Sequence, residues 1–161
     1  MADLLLIVDD SAVTRHVLKR IMSRSLWPTD RILEASNGQE GLELARTPGV
    51  GLVLLDIQMP VMGGLEMLQR IRDDQNLQHV LVLMVTALTT CPAELKAREL
   101  GAVGYIRKPF DPDQIIGEIT RVWAAAGRQQ LVVQPPLVQP MHPILQPTIC
   151  VTRVRERKSS D

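Results

Sequence analysis

The chain has 161 residues, of which 45% are hydrophobic and 22% charged, and this length suffices for one well-buried core. Its 18 basic and 18 acidic residues balance, which excludes the strong positive charge typical of nucleic-acid-binding proteins. Cys91 and Cys150 match no disulfide framework and no zinc-ligand spacing. The apolar stretch between Asp3 and Asp9 is too short for a signal peptide or a membrane span. We therefore expect one cytoplasmic globular domain without membrane or nucleic-acid partners.

Five apolar stretches along the chain are typical of buried strands. They comprise residues 4–8, 32–33, 52–55, 80–85 and 104–106. Helical spacing, caps and stop signals predict a helix after each stretch. The predicted helices cover about residues 12–25, 38–47, 65–71, 92–100 and 112–126. Strands and helices thus alternate five times.

Two of these helices show a clear apolar side. The first is predicted to start after Ser11 as its N-cap and to end near Ser25. Its predicted apolar side consists of Val13, Val17 and Ile21, with Leu18 and Met22 beside them. The last helix is predicted to bury Ile115, Ile116, Ile119, Val122 and Trp123, and to stop at Gly127.

The strands are continuously apolar rather than alternating, which is typical of a parallel sheet covered on both faces by helices. The chain is therefore predicted to adopt an α/β fold with right-handed crossovers. In such open sheets, ligands bind beyond the carboxyl ends of the strands, where the winding direction reverses. Five polar residues lie at or just past such strand ends and are predicted to converge: Asp9, Asp10, Asp56, Thr86 and Lys108.

The residue types in this cluster suggest a chemistry. Three close carboxylates repel one another unless a cation lies among them, and oxygen ligands without His or Cys favour Mg²⁺. Because Mg²⁺ in proteins commonly binds phosphate oxygens as well, a phosphoryl group is the expected guest. Lys108 would supply a fixed positive charge and Thr86 a hydroxyl donor. A carboxylate nucleophile would then form an aspartyl phosphate.

Four motifs resemble those of the receiver domain of two-component response regulators, in the family's order and spacing. They are Asp9-Asp10, residues 56–64, Thr86-Ala87 and residues 104–110. The resemblance covers about residues 3–125 and implies a flavodoxin-like, doubly wound fold, with a five-stranded parallel sheet in the order 2-1-3-4-5. It also implies that the protein is not an enzyme, apart from catalysing its own phosphorylation and dephosphorylation.

By this resemblance, Asp56 is the phosphoacceptor and also a metal-ligating residue, and Asp10 is a direct Mg²⁺ ligand. Asp9 is implied to assist the metal through water, and Gln58 to contribute its backbone carbonyl. Gly63 departs from the family, which often has Asp or Asn at this position.

Two further positions resemble the family's switch residues, Thr86 and Tyr105, and ordinary strand packing is the rival interpretation for Tyr105. Lys108 resembles the lysine that pairs with phosphoryl oxygens, and its bond to Pro109 resembles one that is cis in the family. The implied partners are a histidine kinase or phosphotransfer protein, and a downstream protein that binds the surface of helix 4, strand 5 and helix 5.

The chain divides into a predicted receiver domain, residues 1–127, and a tail, residues 128–161. Five prolines between residues 129 and 147 predict an extended, mostly disordered tail without an output domain. The expected lack of an output domain favours a chemotaxis or motility adaptor.

Two alternative functions stay open at this point. A phosphatase that forms an aspartyl phosphate would have Asp-x-Asp at its first strand, whereas this strand ends in Asp9-Asp10-Ser11. A receiver-like scaffold that acts without phosphorylation would have no need to hold several acids together.

Overall fold

The computed structural model of the protein describes residues 4–88 and 91–128. In this part of the chain, five strands and five helices alternate, and a short 3-10 helix, Thr29–Arg31, precedes the second strand. The elements are β1 Leu4–Val8, α1 Ala12–Ser25, β2 Ile32–Ala35, α2 Gly38–Ala45, β3 Val50–Leu55, α3 Gly64–Asp73, β4 Leu81–Thr86, α4 Cys91–Glu99, β5 Gly104–Arg107 and α5 Pro112–Ala125. The predicted tail lies outside the described residues from residue 129 onward.

All four strand pairings are parallel, and the sheet order is β2-β1-β3-β4-β5. The predicted α/β fold and strand order are confirmed. The two central strands are in register at their carboxyl ends, where Val8 pairs with Leu55. The residues that follow, Asp9 and Asp56, therefore leave the same edge of the sheet side by side.

The sheet is buried on both faces because its strands are apolar throughout, and all six residues of β3 are buried. Side chains alternate between two cores, so Leu6 and Val8 belong to one face and Leu5 and Ile7 to the other. Helices α2, α3 and α4 contribute to the first core. Helices α1 and α5 contribute to the second. No helix in the described ranges is long and apolar enough to cross a membrane.

Helix α1 is turned differently from the prediction. Leu18 and Met22 are buried, but Val13 and Val17 are 74% and 40% exposed, so their predicted place on the packed side is wrong. The packed side instead includes the stems of Arg15 and Lys19, whose charged ends reach Glu34 on β2. In α5, the predicted Ile116 is only partly buried, while the other four predicted residues are in the core.

The second core contains a pair of indole rings. Trp27, which follows α1, and Trp123, near the end of α5, form an edge-to-face contact with ring centroids 5.3 Å apart. Both side chains are almost fully buried. Because α1 and α5 run away from the edge at which Asp9 and Asp56 leave the sheet, this pair lies toward the opposite edge.

Helix α2 begins with a reciprocal cap. The Asn37 side chain accepts a hydrogen bond from the Glu40 amide at 3.0 Å. The Glu40 carboxylate accepts in turn from the Ser36 amide and hydroxyl, at 2.8 and 2.9 Å. These bonds lower the pKa of the Glu40 carboxyl and satisfy donors at the helix start.

We predict that Glu40→Gln lowers the free energy of unfolding at pH 7 by about 0.5–1 kcal/mol, because it removes an ionised cap acceptor. The pKa of Glu40 is lower in the folded state than its ordinary 4.5, so this stabilisation is present above that pH and lost as the pH falls through the folded value. Urea unfolding of both proteins, followed by circular dichroism across this range, measures the difference.

Glu43→Gln is the matched control, since Glu43 is exposed on the same helix and, among the described residues, its carboxylate bonds only to the Gln39 side chain. A Glu40→Gln difference that stays constant down to the acid limit would contradict the role of the ionised carboxylate.

Candidate functional site

The predicted acids meet at the carboxyl edge of the sheet. Asp9, Asp10 and Asp56 each offer a carboxylate oxygen, and these oxygens lie within 4.8 Å of one another. Asp9 and Asp56 are 1% and 7% exposed, whereas Asp10 is exposed. The adjacent strands β1 and β3 place the two buried acids, and the Asp56 amide donates to the Val8 carbonyl at 2.9 Å.

The fourth charged member of the site is Lys108, which directly follows β5. Its Nζ lies 2.5 Å from Asp9 Oδ2 and 3.2 Å from Asp56 Oδ2, so one ammonium bridges both buried acids. The Lys108 amide donates to the Thr86 carbonyl at 2.9 Å and ties this residue to the end of β4. The Lys108–Pro109 peptide bond is cis, as the resemblance implied.

The charges of this cluster do not balance. The Lys108 ammonium contacts two of the three clustered carboxylates, and burial raises the pKa of the Asp9 carboxyl. Hydrogen bonds from Lys108 and from the Ser11 amide lower this pKa only in part. The oxygen-only donor set, with one exposed acid beside two buried ones, therefore fits a hard divalent cation such as Mg²⁺.

Asp56 is held at both carboxylate oxygens. Its Oδ1 accepts from the Ile57 amide at 2.8 Å, and its Oδ2 faces Lys108. The predicted metal-ligand residue Gln58 lies two positions further in the same loop, with an exposed side chain. The role of its backbone carbonyl stays a prediction.

The predicted switch residues both bind Leu88, in the loop after β4. Thr86 is fully buried, and its Oγ1 accepts from the Leu88 amide at 3.2 Å. The Tyr105 hydroxyl donates to the Leu88 carbonyl at 2.5 Å. A phenol is protonated at neutral pH and can donate, and burial raises the pKa of Tyr105 further. The Thr86 hydroxyl thus accepts from the loop, and within residues 4–88 and 91–128 it donates no hydrogen bond to an acid of the site.

The loop after Asp56 is tightly folded against it. A Cβ on Gly64 would lie 1.9 Å from the Asp56 carbonyl oxygen, and the Gly64 amide donates to the Ile57 carbonyl at 2.9 Å. Val61 adopts a left-handed φ of 67°, which is rare for a β-branched residue. Gly63 is the N-cap of α3 and has no side chain to cap the helix. Compared with Asp or Asn, the glycine therefore removes a helix-capping hydrogen bond.

Sequence reasoning missed one contact residue, Arg15. Its Nη1 donates to the backbone carbonyls of Asp9 and Asp10, at 2.7 and 3.3 Å. The sequence gives little sign of this contact. Arg15 lies one turn into α1, and it reaches the preceding loop only because of the way α1 is oriented on the sheet.

This chain belongs to the family of response regulator receiver domains, whose sequence profile matches residues 5–120. Among related proteins, the polar-differentiation response regulator DivK of Brucella anthropi is 34% identical over 114 residues, which are 71% of this chain and 90% of that protein. DivK of Brucella ovis is 33% identical over 119 residues, which cover 74% and 94% of the two chains.

Solved structures agree with this assignment. The chemotaxis protein CheY4 of Vibrio cholerae has a TM-score of 0.67 at 26% identity, and the match covers 76% of this chain and 99% of that one. A CheX-CheY-BeF3-Mg²⁺ complex from Borrelia burgdorferi also gives 0.67, at 27% identity, over 75% and 89% of the chains.

We predict that Gly64→Ala destabilises the protein by about 1–3 kcal/mol, because the added methyl group must displace the backbone of Asp56. Gly117→Ala is the matched control, since a Cβ there has no neighbour within 4 Å and the residue is exposed in α5. The control should gain up to about 1 kcal/mol. Thermal unfolding of the three proteins tests this contrast. Equal effects of both substitutions would show that the loop has room at Gly64.

Proposed function

We propose that this protein is a phosphoryl-accepting signalling switch, in which Asp56 takes a phosphoryl group from a phosphohistidine of a histidine kinase or phosphotransfer protein. The observation that supports this most directly is the bridge from Lys108 to two buried acids on neighbouring strands. Burying such like charges is costly, so a cluster of this kind indicates a functional site.

In the proposed reaction, a carboxylate oxygen of Asp56 attacks phosphorus while the bond from phosphorus to the donor's imidazole nitrogen breaks. The electron pair of that bond stays on the imidazole. Asp9, Asp10, Asp56 and the Gln58 carbonyl would hold Mg²⁺, which supplies counter-charge to the phosphoryl oxygens when bound. The Borrelia burgdorferi relative, a CheY found with Mg²⁺ and BeF3, supports this assignment.

Lys108 has a second task in this proposal. Its ammonium already lies 3.2 Å from the attacking carboxylate of Asp56, so it can pair with a phosphoryl oxygen bound there without a large movement. Thr86 donates its hydroxyl hydrogen to another phosphoryl oxygen. In this proposal the side chain moves toward the phosphoryl group to reach it, and this movement breaks the hydrogen bond that the hydroxyl accepts from the Leu88 amide.

Loss of the hydrogen bond between Thr86 and Leu88 then affects the surface formed by α4, β5 and α5. Tyr105 on β5 holds the carbonyl of the same residue, and Arg107 on β5 bonds to Glu94 on α4 at 3.1 Å. This ion pair lowers the pKa of the Glu94 carboxyl. A shift of the loop therefore changes the contacts at this surface, where we place the downstream partner protein.

The named relatives act in polar differentiation and in chemotaxis, so the comparisons favour signalling through protein contact without selecting one pathway. We propose a cytoplasmic adaptor with residues 1–127 as its receiver domain. Chemotaxis is one candidate pathway, and the disordered tail of residues 128–161 stays a prediction.

We predict that the wild-type protein gains one phosphoryl group when it is incubated with acetyl phosphate and Mg²⁺, and that Asp56→Asn gains none, because the amide is a poor nucleophile. Intact-mass spectrometry measures the label. Equal labelling of both proteins, or labelling without Mg²⁺, would refute the assignment. Sustained hydrolysis of phosphate esters would instead favour the phosphatase, and an unlabelled wild type the scaffold.

We predict that labelling accelerates hydrogen exchange of the Leu88 amide, because the Thr86 hydroxyl leaves it for the phosphoryl group. In Thr86→Val, this amide should exchange rapidly both before and after labelling. NMR exchange measurements with excess acetyl phosphate test this. Thr120→Val, which removes an exposed hydroxyl on α5, is the control and should behave as wild type. An unchanged Leu88 rate on labelling would rule out the proposed movement.

A further inference from the structure

Arg15 binds the backbone on both sides of Asp10. Its Nη1 donates at 2.7 Å to the carbonyl of Asp9, and at 3.3 Å to the carbonyl of Asp10. These carbonyls belong to the two peptide groups that flank the Asp10 Cα, and their orientation sets its φ and ψ. One guanidinium therefore fixes the direction in which the Asp10 side chain leaves the chain.

Asp10 has no comparable support of its own. Within residues 4–88 and 91–128, the structure shows no hydrogen bond or ion pair to its carboxylate, and the residue is exposed. Asp9 differs, because Lys108 and the Ser11 amide hold its two oxygens. Of the two neighbouring acids, Asp10 thus depends on its backbone for orientation.

The arginine is itself held in place. Its side chain is 19% exposed, and its Nε lies 3.8 Å from Oε2 of Glu34 on β2. The other oxygen of Glu34 lies 2.5 Å from Lys19 Nζ. Ile7 pairs with Glu34 in the sheet, so this anchor belongs to the strand next to the one that carries Asp9. The guanidinium therefore connects β2 to the turn between β1 and α1.

We propose that Arg15 is a positioning residue that preorganises Asp10 for a divalent cation; this rests on the proposed function in taking that cation to be Mg²⁺. The direction in which Mg²⁺ affinity changes when Arg15 is replaced distinguishes a positioning role from a purely electrostatic one. Loss of a positive charge near the acids would by itself strengthen cation binding. Loss of a group that orients a ligand weakens metal affinity, typically by 10-fold or more.

The test is isothermal titration of metal-free protein with MgCl₂. Arg15→Met should weaken Mg²⁺ binding by about 10-fold. Arg15→Lys should also weaken it several-fold, because an ammonium lacks the planar fork that reaches two carbonyls and Glu34 together. The matched control is Arg20→Met, which removes the same charge from the exposed side of α1. It should bind as tightly as wild type, or slightly more tightly.

Glu34→Gln separates the carbonyl contacts from the ion pair, because it keeps the first and removes the second. It should weaken Mg²⁺ binding less than Arg15→Met does. Metal-free thermal unfolding checks that each variant is folded, and should Arg15→Met not fold, Arg15→Lys takes its place in the comparison.

Two outcomes would overturn the positioning role. One is that Arg15→Met binds Mg²⁺ as tightly as Arg20→Met does. The other is that Glu34→Gln loses as much Mg²⁺ affinity as Arg15→Met does. These outcomes, with a wild type that binds Mg²⁺ and is labelled at Asp56, would leave the proposed function intact. A wild type that binds no Mg²⁺ would refute both proposals. One that binds Mg²⁺ without labelling would refute only the phosphoryl transfer.

Discussion

The structure depends on the parallel register between β1 and β3. Val8 pairs with Leu55, so the next residue of each strand, Asp9 or Asp56, emerges at the same height on the same edge. A shift of either strand by one residue would turn its apolar side chains to the opposite core and separate the two acids. The two buried cores enforce this register, and the packing of aliphatic side chains thereby determines the distance between the carboxylates.

That close approach is unfavourable in isolation, and the rest of the site compensates for it. Lys108 arrives from the far strand β5, and the Ile57 and Ser11 amides hold an oxygen of Asp56 and of Asp9. The two amides are local to the acids they bond, whereas Lys108 follows β5, so the full site assembles only when β1, β3 and β5 have joined one sheet. The stability of the fold and the geometry of the acids are therefore linked.

Much of this arrangement follows from the sequence, because continuous apolar runs that end in polar residues specify both a parallel sheet and its functional edge. Helical spacing predicted the wrong packed side for part of α1, because spacing does not show which residues the neighbouring elements contact. Val13 and Val17 have helical spacing, but α1 packs through Leu18 and Met22, and Arg15 and Lys19 beside them pair with Glu34 on β2. Arg15 could not be recognised earlier for the same reason. The prediction also started β3 two residues too late, at Leu52 instead of Val50, because glycine, here Gly51, is uncommon in strands.

The indole pair of Trp27 and Trp123 has a consequence for how the protein can be observed. Both chromophores are buried between α1 and α5, toward the sheet edge remote from the acids, and an isoleucine follows Asp56. Because the pair lies away from the acidic rim, we expect its emission to report mainly whether these two helices are packed together. Occupancy of that rim has to be followed by calorimetry, magnetic resonance or mass, while fluorescence provides an independent gauge of global integrity.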